Sequence, residues 1–168
     1  MSELFVLAFE TETGASEMLD TIGRLQKMEL ITLEDAAVVV RPMKGKPKVK
    51  QAQSLVGAGA LGGAFWGLLI GLLFFAPWLG LVAGAVGGAL GGKLTDVGID
   101  DKFIKEVGET IEPGHSALFL LVIEATRDKV LAELAKYDAT VLQTSLSEED
   151  DAKLRETFGS TMSNNPLL

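Results

Sequence analysis

The run GAGALGGAFWGLLIGLLFFAPWLGLVAGAVGGALGGK, Gly57 to Lys93, decides how the rest of the chain is read. Its first glycines fit a dinucleotide fingerprint and its last ones nearly fit a phosphate loop. Gly57, Gly59 and Gly62 have GxGxxG spacing, but no acid occurs between Asp35 and Asp96 to hold a ribose. Gly87, Gly92 and Lys93 match GxxxxGK, yet Leu94 stands where a Ser or Thr hydroxyl must meet magnesium. Neither nucleotide site is complete, so no nucleotide partner and no cofactor are expected.

A water-exposed helix fits the run no better. From Gln51 to Gly92 there are 42 consecutive residues without a charge, and after Ser54 no polar side chain except two indoles. A surface helix needs one polar face. The run also holds 12 of the 19 glycines, and each costs an exposed helix roughly 1 kcal/mol against alanine.

Hydrocarbon removes both objections, because there the backbone must bond to itself and small residues let helices approach closely. Gly59, Gly63, Gly67 and Gly71 repeat every fourth position, as do Gly80, Gly84, Gly88 and Gly92. Pro77 divides the two ladders and ends the first helix. The spacing predicts a glycine-zipper hairpin with its tip at Pro77 and Trp78. The first arm, Leu55 to Phe75, would be ~31 Å long and the second, Leu79 to Gly92, ~21 Å, against a hydrocarbon core of ~30 Å. The hairpin is thus transmembrane or re-entrant. Large residues of the first arm, Leu61, Phe65, Leu68, Leu69 and Leu72, suit lipid, whereas Trp66 reads as packing. The second arm is small on most sides, which suits contact with arm one and with a neighbouring chain, so a homo-oligomer is expected.

Charge around the run gives orientation. RPMKGKPKVK, Arg41 to Lys50, carries five cations and no acid, Lys93 follows the run, and the tip has none. Both ends are therefore expected to stay cytoplasmic. On a strand Lys44, Lys46, Lys48 and Lys50 would point one way, toward membrane lipid headgroups or as a lysine-guarded edge. The net charge of −8 with that +5 segment leaves −13 on the remainder, which disfavours a nucleic-acid partner. There is no cysteine, and the start MSELFVLAFETE lacks the form of a secretory signal.

Outside the run, ELFVLAFE reads as a strand and GASEMLDTIGRLQKM as a helix, with Thr13 as cap and Ala15, Met18, Leu19, Ile22 and Leu25 on one stripe. EDAAVVVR is a second strand, continuing through a turn at Lys44 to Pro47 into KVKQ. A small helix capped by Asp100 sets Phe103, Ile104, Val107 and Ile111 together. HSALFLLVIE is a third strand, TRDKVLAELAKY a helix capped by Thr126, and ATVLQTSL a fourth strand. Ser147 and Asp150 form a capping box for a last helix.

This order predicts an α+β fold: a ferredoxin-like antiparallel sheet with helices on one face and the hairpin inserted. The expected divisions are 1–50 with 98–158 as a discontinuous cytoplasmic domain, 51–97 as the membrane hairpin, and 159–168 as a flexible tail. No catalytic residue and no metal site is expected. His115, the single histidine, follows the Pro113-Gly114 turn as a surface residue, and the acids gather at helix starts.

LEDAAVVVR, GAGALGGAFWGLLIGLLFFAP, GIDDKFIKEVGETIEPGHSALFLLV and TSLSEEDDAKLRE are similar to the wording of the DUF1269 family, bacterial membrane proteins of unknown function. The resemblance covers the chain to about Glu156. It implies a bacterial inner-membrane location and a glycine-zipper hairpin, and similar glycine-zipper proteins are often described as stress-related. It brings no activity. The expected function is a non-enzymatic membrane scaffold or remodelling protein; a tethered ligand- or protein-binding domain and an oligomeric pore are the alternatives.

Overall fold

The computed structural model describes residues 3–51, 63–74, 99 and 101–145. In chain order the elements are β1 (Glu3–Phe9), α1 (Gly14–Lys27), β2 (Ile31–Arg41), β3 (Lys48–Gln51), α2 (Gly63–Phe74), α3 (Asp101–Thr110), β4 (His115–Ala125), α4 (Arg127–Leu134) and β5 (Thr140–Ser145). The five strands form one antiparallel sheet of order β3-β2-β4-β1-β5. KVKQ is a strand in its own right, paired back onto β2 through a turn in which Gly45 takes φ +106°. An L side chain rarely adopts that conformation, so glycine is the residue the turn requires.

The inner strands are apolar at nearly every position because both faces of the sheet are buried. On one face Leu7, Phe9, Val38, Leu118 and Leu120 pack against Ala15, Met18, Ile22 and Leu25 of α1 and Val130 of α4. On the other, Leu4, Val6, Ala37, Val39, Phe119 and Leu121 pack against α2 and against Phe103, Ile104 and Val107 of α3. The expectation of helices on one face is therefore corrected. HSALFLLVIE offers apolar side chains in both directions, and each face needs a cover that removes it from water.

The helix stripes read from periodicity are the buried ones, Leu19 only in part. The cap of α1 differs. Thr13 makes no side-chain cap bond; Gly14 N donates to Thr11 Oγ1 at 3.0 Å and Ala15 N to Ser116 Oγ at 3.0 Å. Ser116 is held in turn by donating to Thr11 O at 2.6 Å. A hydroxyl from β4 thus satisfies a helix end that local sequence assigns to Thr13, because packing α1 on the sheet brings the two within reach. The expected Asp100 cap, the Ser147 and Asp150 capping box and the 159–168 tail lie outside the described residues.

Two register shifts interrupt the β2–β4 ladder. Thr32 pairs with Glu124, Leu33 with Val122 and Asp35 with Leu121, which leaves Ile123 and Glu34 as extra residues. Such bulges bend a strand and re-aim its side chains.

Candidate functional site

The part of the apolar run that the structure describes, α2, lies on the sheet. Phe65, Trp66, Leu69, Ile70, Leu73 and Phe74, at helical spacing, are all less than a tenth exposed. Trp66 meets Phe65 edge-on at 4.9 Å between ring centroids and Phe119 of β4 at 6.1 Å. Trp66 packs, as its place in the arm predicts, whereas the expectation of lipid contact for Phe65 and Leu69 does not hold. That expectation is corrected: the α2 face they belong to covers the second sheet face, where two apolar surfaces leave water together.

Beneath α2 lies a carboxylate that periodicity gave no role. Asp35 has no exposure; its Oδ1 accepts from Ala36 N at 2.8 Å and its Oδ2 accepts from Trp66 Nε1 at 3.4 Å. The bulge just before it sets Asp35 on the α2 side, with Ala37 and Val39. A buried carboxylate is tolerated only where donors reach it. A visible signal was present, since Asp35 stands next to a purely apolar run, AAVVV.

The other end of α2 is fastened by Arg41. Its Nη1 donates to Ile111 O at 2.8 Å and its guanidinium lies 5.1 Å from the Phe74 ring centroid. Its backbone oxygen accepts from Gly114 N at 2.7 Å. Arg41 therefore joins β2, α2 and the end of α3, and serves the fold as well as the surface charge.

The glycines divide into two kinds. Gly63, Gly67 and Gly71 follow one another by a turn along α2, and a methyl group at Gly71 would meet nothing within 4 Å among the described residues. Gly108 of α3 is the opposite: a methyl group there would lie 2.8 Å from the backbone oxygen of Leu73. The helix crossing within the described fold is thus made by Gly108, which no ladder marked. An interior glycine in an amphipathic helix was its only sequence signal. Gly59, Gly80, Gly84, Gly88, Gly92, Pro77, Trp78 and Lys93 lie outside the described residues, so the hairpin they would build is not in view.

The basic edge is exposed, but its geometry is not that of one strand. Lys48 and Lys50 pair with Val40 and Val38, so they lie on the α1 side of the sheet, whereas Lys44 and Lys46 belong to the turn around Gly45. The common direction expected of all four holds only for the two on β3, because a turn breaks the alternation. Met43 and Val49 beside them are 70% and 41% exposed. His115 is half-buried, with Nε2 3.9 Å from Glu112. Among the described residues no three His, Asp or Glu side chains are grouped to hold a metal.

No helix among the described residues is long and apolar enough to cross a membrane. What this arrangement offers is a packed apolar helix, a glycine edge and a basic sheet edge. The chain belongs to the family described as Protein of unknown function (DUF1269), which matches residues 60–159. No curated protein and no solved structure matches the chain.

Proposed function

We propose that this protein is a non-enzymatic, membrane-associated scaffold or remodelling protein that assembles as a homo-oligomer through its glycine-zipper helices. In this reading the α+β unit is a ferredoxin-like domain: without β3, the order β2-β4-β1-β5 with helical crossovers is that of the split β-α-β pattern. The domain stays on the cytoplasmic side of a bacterial inner membrane, and the lysines of the β3 edge face headgroups. The uncharged residues beyond Phe74 make the contact with lipid.

The observation that carries the proposal is the two-sidedness of α2. Phe65, Trp66, Leu69, Ile70, Leu73 and Phe74 are held against the sheet, while the glycine edge at Gly71 has no described neighbour within 4 Å. A rigidly mounted helix with a small-residue edge is what a second helix needs for close packing.

The test is fractionation of the expressed full-length chain, followed by mass measurement and crosslinking in mild detergent. Recovery from the membrane fraction as a defined oligomer is the expected result, and Gly84→Leu or Gly88→Leu dissolves the oligomer while leaving membrane association. A lipid-free monomer in buffer overturns the proposal.

A further inference from the structure

On the face opposite α2, the two crossover helices do not close over the sheet. A cleft of about 370 Å³ opens between them at the end of the sheet where β1 begins. Leu7, Leu120 and Val122 form its floor, with Ile22 of α1 on one side and Val130 and Leu134 of α4 on the other. The volume is in the range of small-molecule sites, about 300–1,000 Å³.

The bulge on β4 shapes this cleft. Ile123, the residue that the β2–β4 register skips, lines the cleft together with its neighbours Val122 and Glu124. Ile123 and Val141 at the mouth are each 45% exposed, although few large apolar side chains of the described residues are exposed at all. The polar groups of the lining are the carboxylates of Glu3 and Glu124 and the amide of Gln143; no Lys or Arg is among the described lining residues.

We infer that this cleft binds a small aliphatic amine, its hydrocarbon chain on the Leu7, Leu120 and Val122 floor and its ammonium group at the mouth beside Glu124. Apolar lining with a few convergent polar groups is the ordinary form of such a site, and the sign of those groups selects the ligand. An alkyl carboxylate of equal length would set its charge against the Glu124 carboxylate in a chain of net charge −8. The inference is independent of whether the chain assembles in a membrane.

The experiment uses the full-length chain and an alkylamine carrying a diazirine, with labelled positions mapped after irradiation. Labelling concentrates on the segments bearing Val130, Leu134 and Val141, and octylamine competes for it whereas octanoate does not. Glu124→Gln weakens competition by octylamine about tenfold, the loss of one charge-assisted bond. Val141→Trp, on an exposed edge position, fills the mouth and abolishes the specific label without changing the far-UV circular dichroism. Equal competition by octanoate, or labelling that survives Val141→Trp, overturns the inference; so does the absence of saturable labelling, because the cleft is then filled by the chain itself.

Discussion

Trp66 Nε1 donates to Asp35 Oδ2 across 3.4 Å, joining the most apolar helix of the described fold to a carboxylate with no exposure. Trp66→Phe keeps most of the packing but removes a donor from a buried acceptor, at a cost of about 1–3 kcal/mol. Urea unfolding followed by far-UV circular dichroism checks this. A midpoint equal to the wild type would show that the pair does not hold α2 in place.

Glycine substitutions separate the two helix edges. Gly108→Ala drives a methyl group against the Leu73 backbone, which cannot swing aside, and destabilises the fold by about 1–3 kcal/mol. Gly71→Ala meets no described atom within 4 Å, so it leaves the described fold intact, but on the proposed zipper edge its methyl group obstructs the second helix and weakens the oligomer. Thermal melts should report the loss for Gly108→Ala, and crosslinking in mild detergent the loss for Gly71→Ala.

Arg41→Lys is not a conservative change. The planar guanidinium bonds to Ile111 O and lies over Phe74, and a lysine ammonium reproduces neither geometry. A loss of about 2 kcal/mol is expected. Hydrogen exchange of the α2 and α3 amides should rise before that of β1.

The cap of α1 gives a test of tertiary against local control. Ser116→Ala removes the acceptor of Ala15 N and costs about 1 kcal/mol, whereas Thr13→Ala leaves stability nearly unchanged. Equal effects of the two, read from denaturation midpoints, would return the cap to Thr13.

Replacing Lys44, Lys46, Lys48 and Lys50 together by glutamine should weaken binding to anionic vesicles by about 1 kcal/mol per lysine in contact and flatten its salt dependence. Neutral vesicles are the control. Unchanged binding to anionic vesicles would assign these lysines to guarding the edge of β3.

Alternation and helical spacing made most elements legible, because a side chain's direction is fixed by the backbone period and the apolar ones must leave water. That logic located β1, β2, β4 and β5, the stripe of α1 and the Phe103 to Ile111 stripe of α3. It did not reveal the roles of Asp35, Arg41, Ser116 and Gly108. Each acts on a partner far away in the chain, as Ser116 does on Ala15, and spacing carries no information about such meetings.

The sequence by itself determined that the run from Gln51 to Gly92 cannot stand as a water-exposed helix, since no charge or polar face is available to it. It also determined an α+β order of elements, through apolar periods of two in the strands and near four in the helices. Only the tertiary structure decided what covers the run where it is described. Both faces of the sheet are apolar, α1 and α4 cover one, and burial of the other against Phe65, Trp66, Leu69 and Leu73 removes two greasy surfaces from water in a single contact.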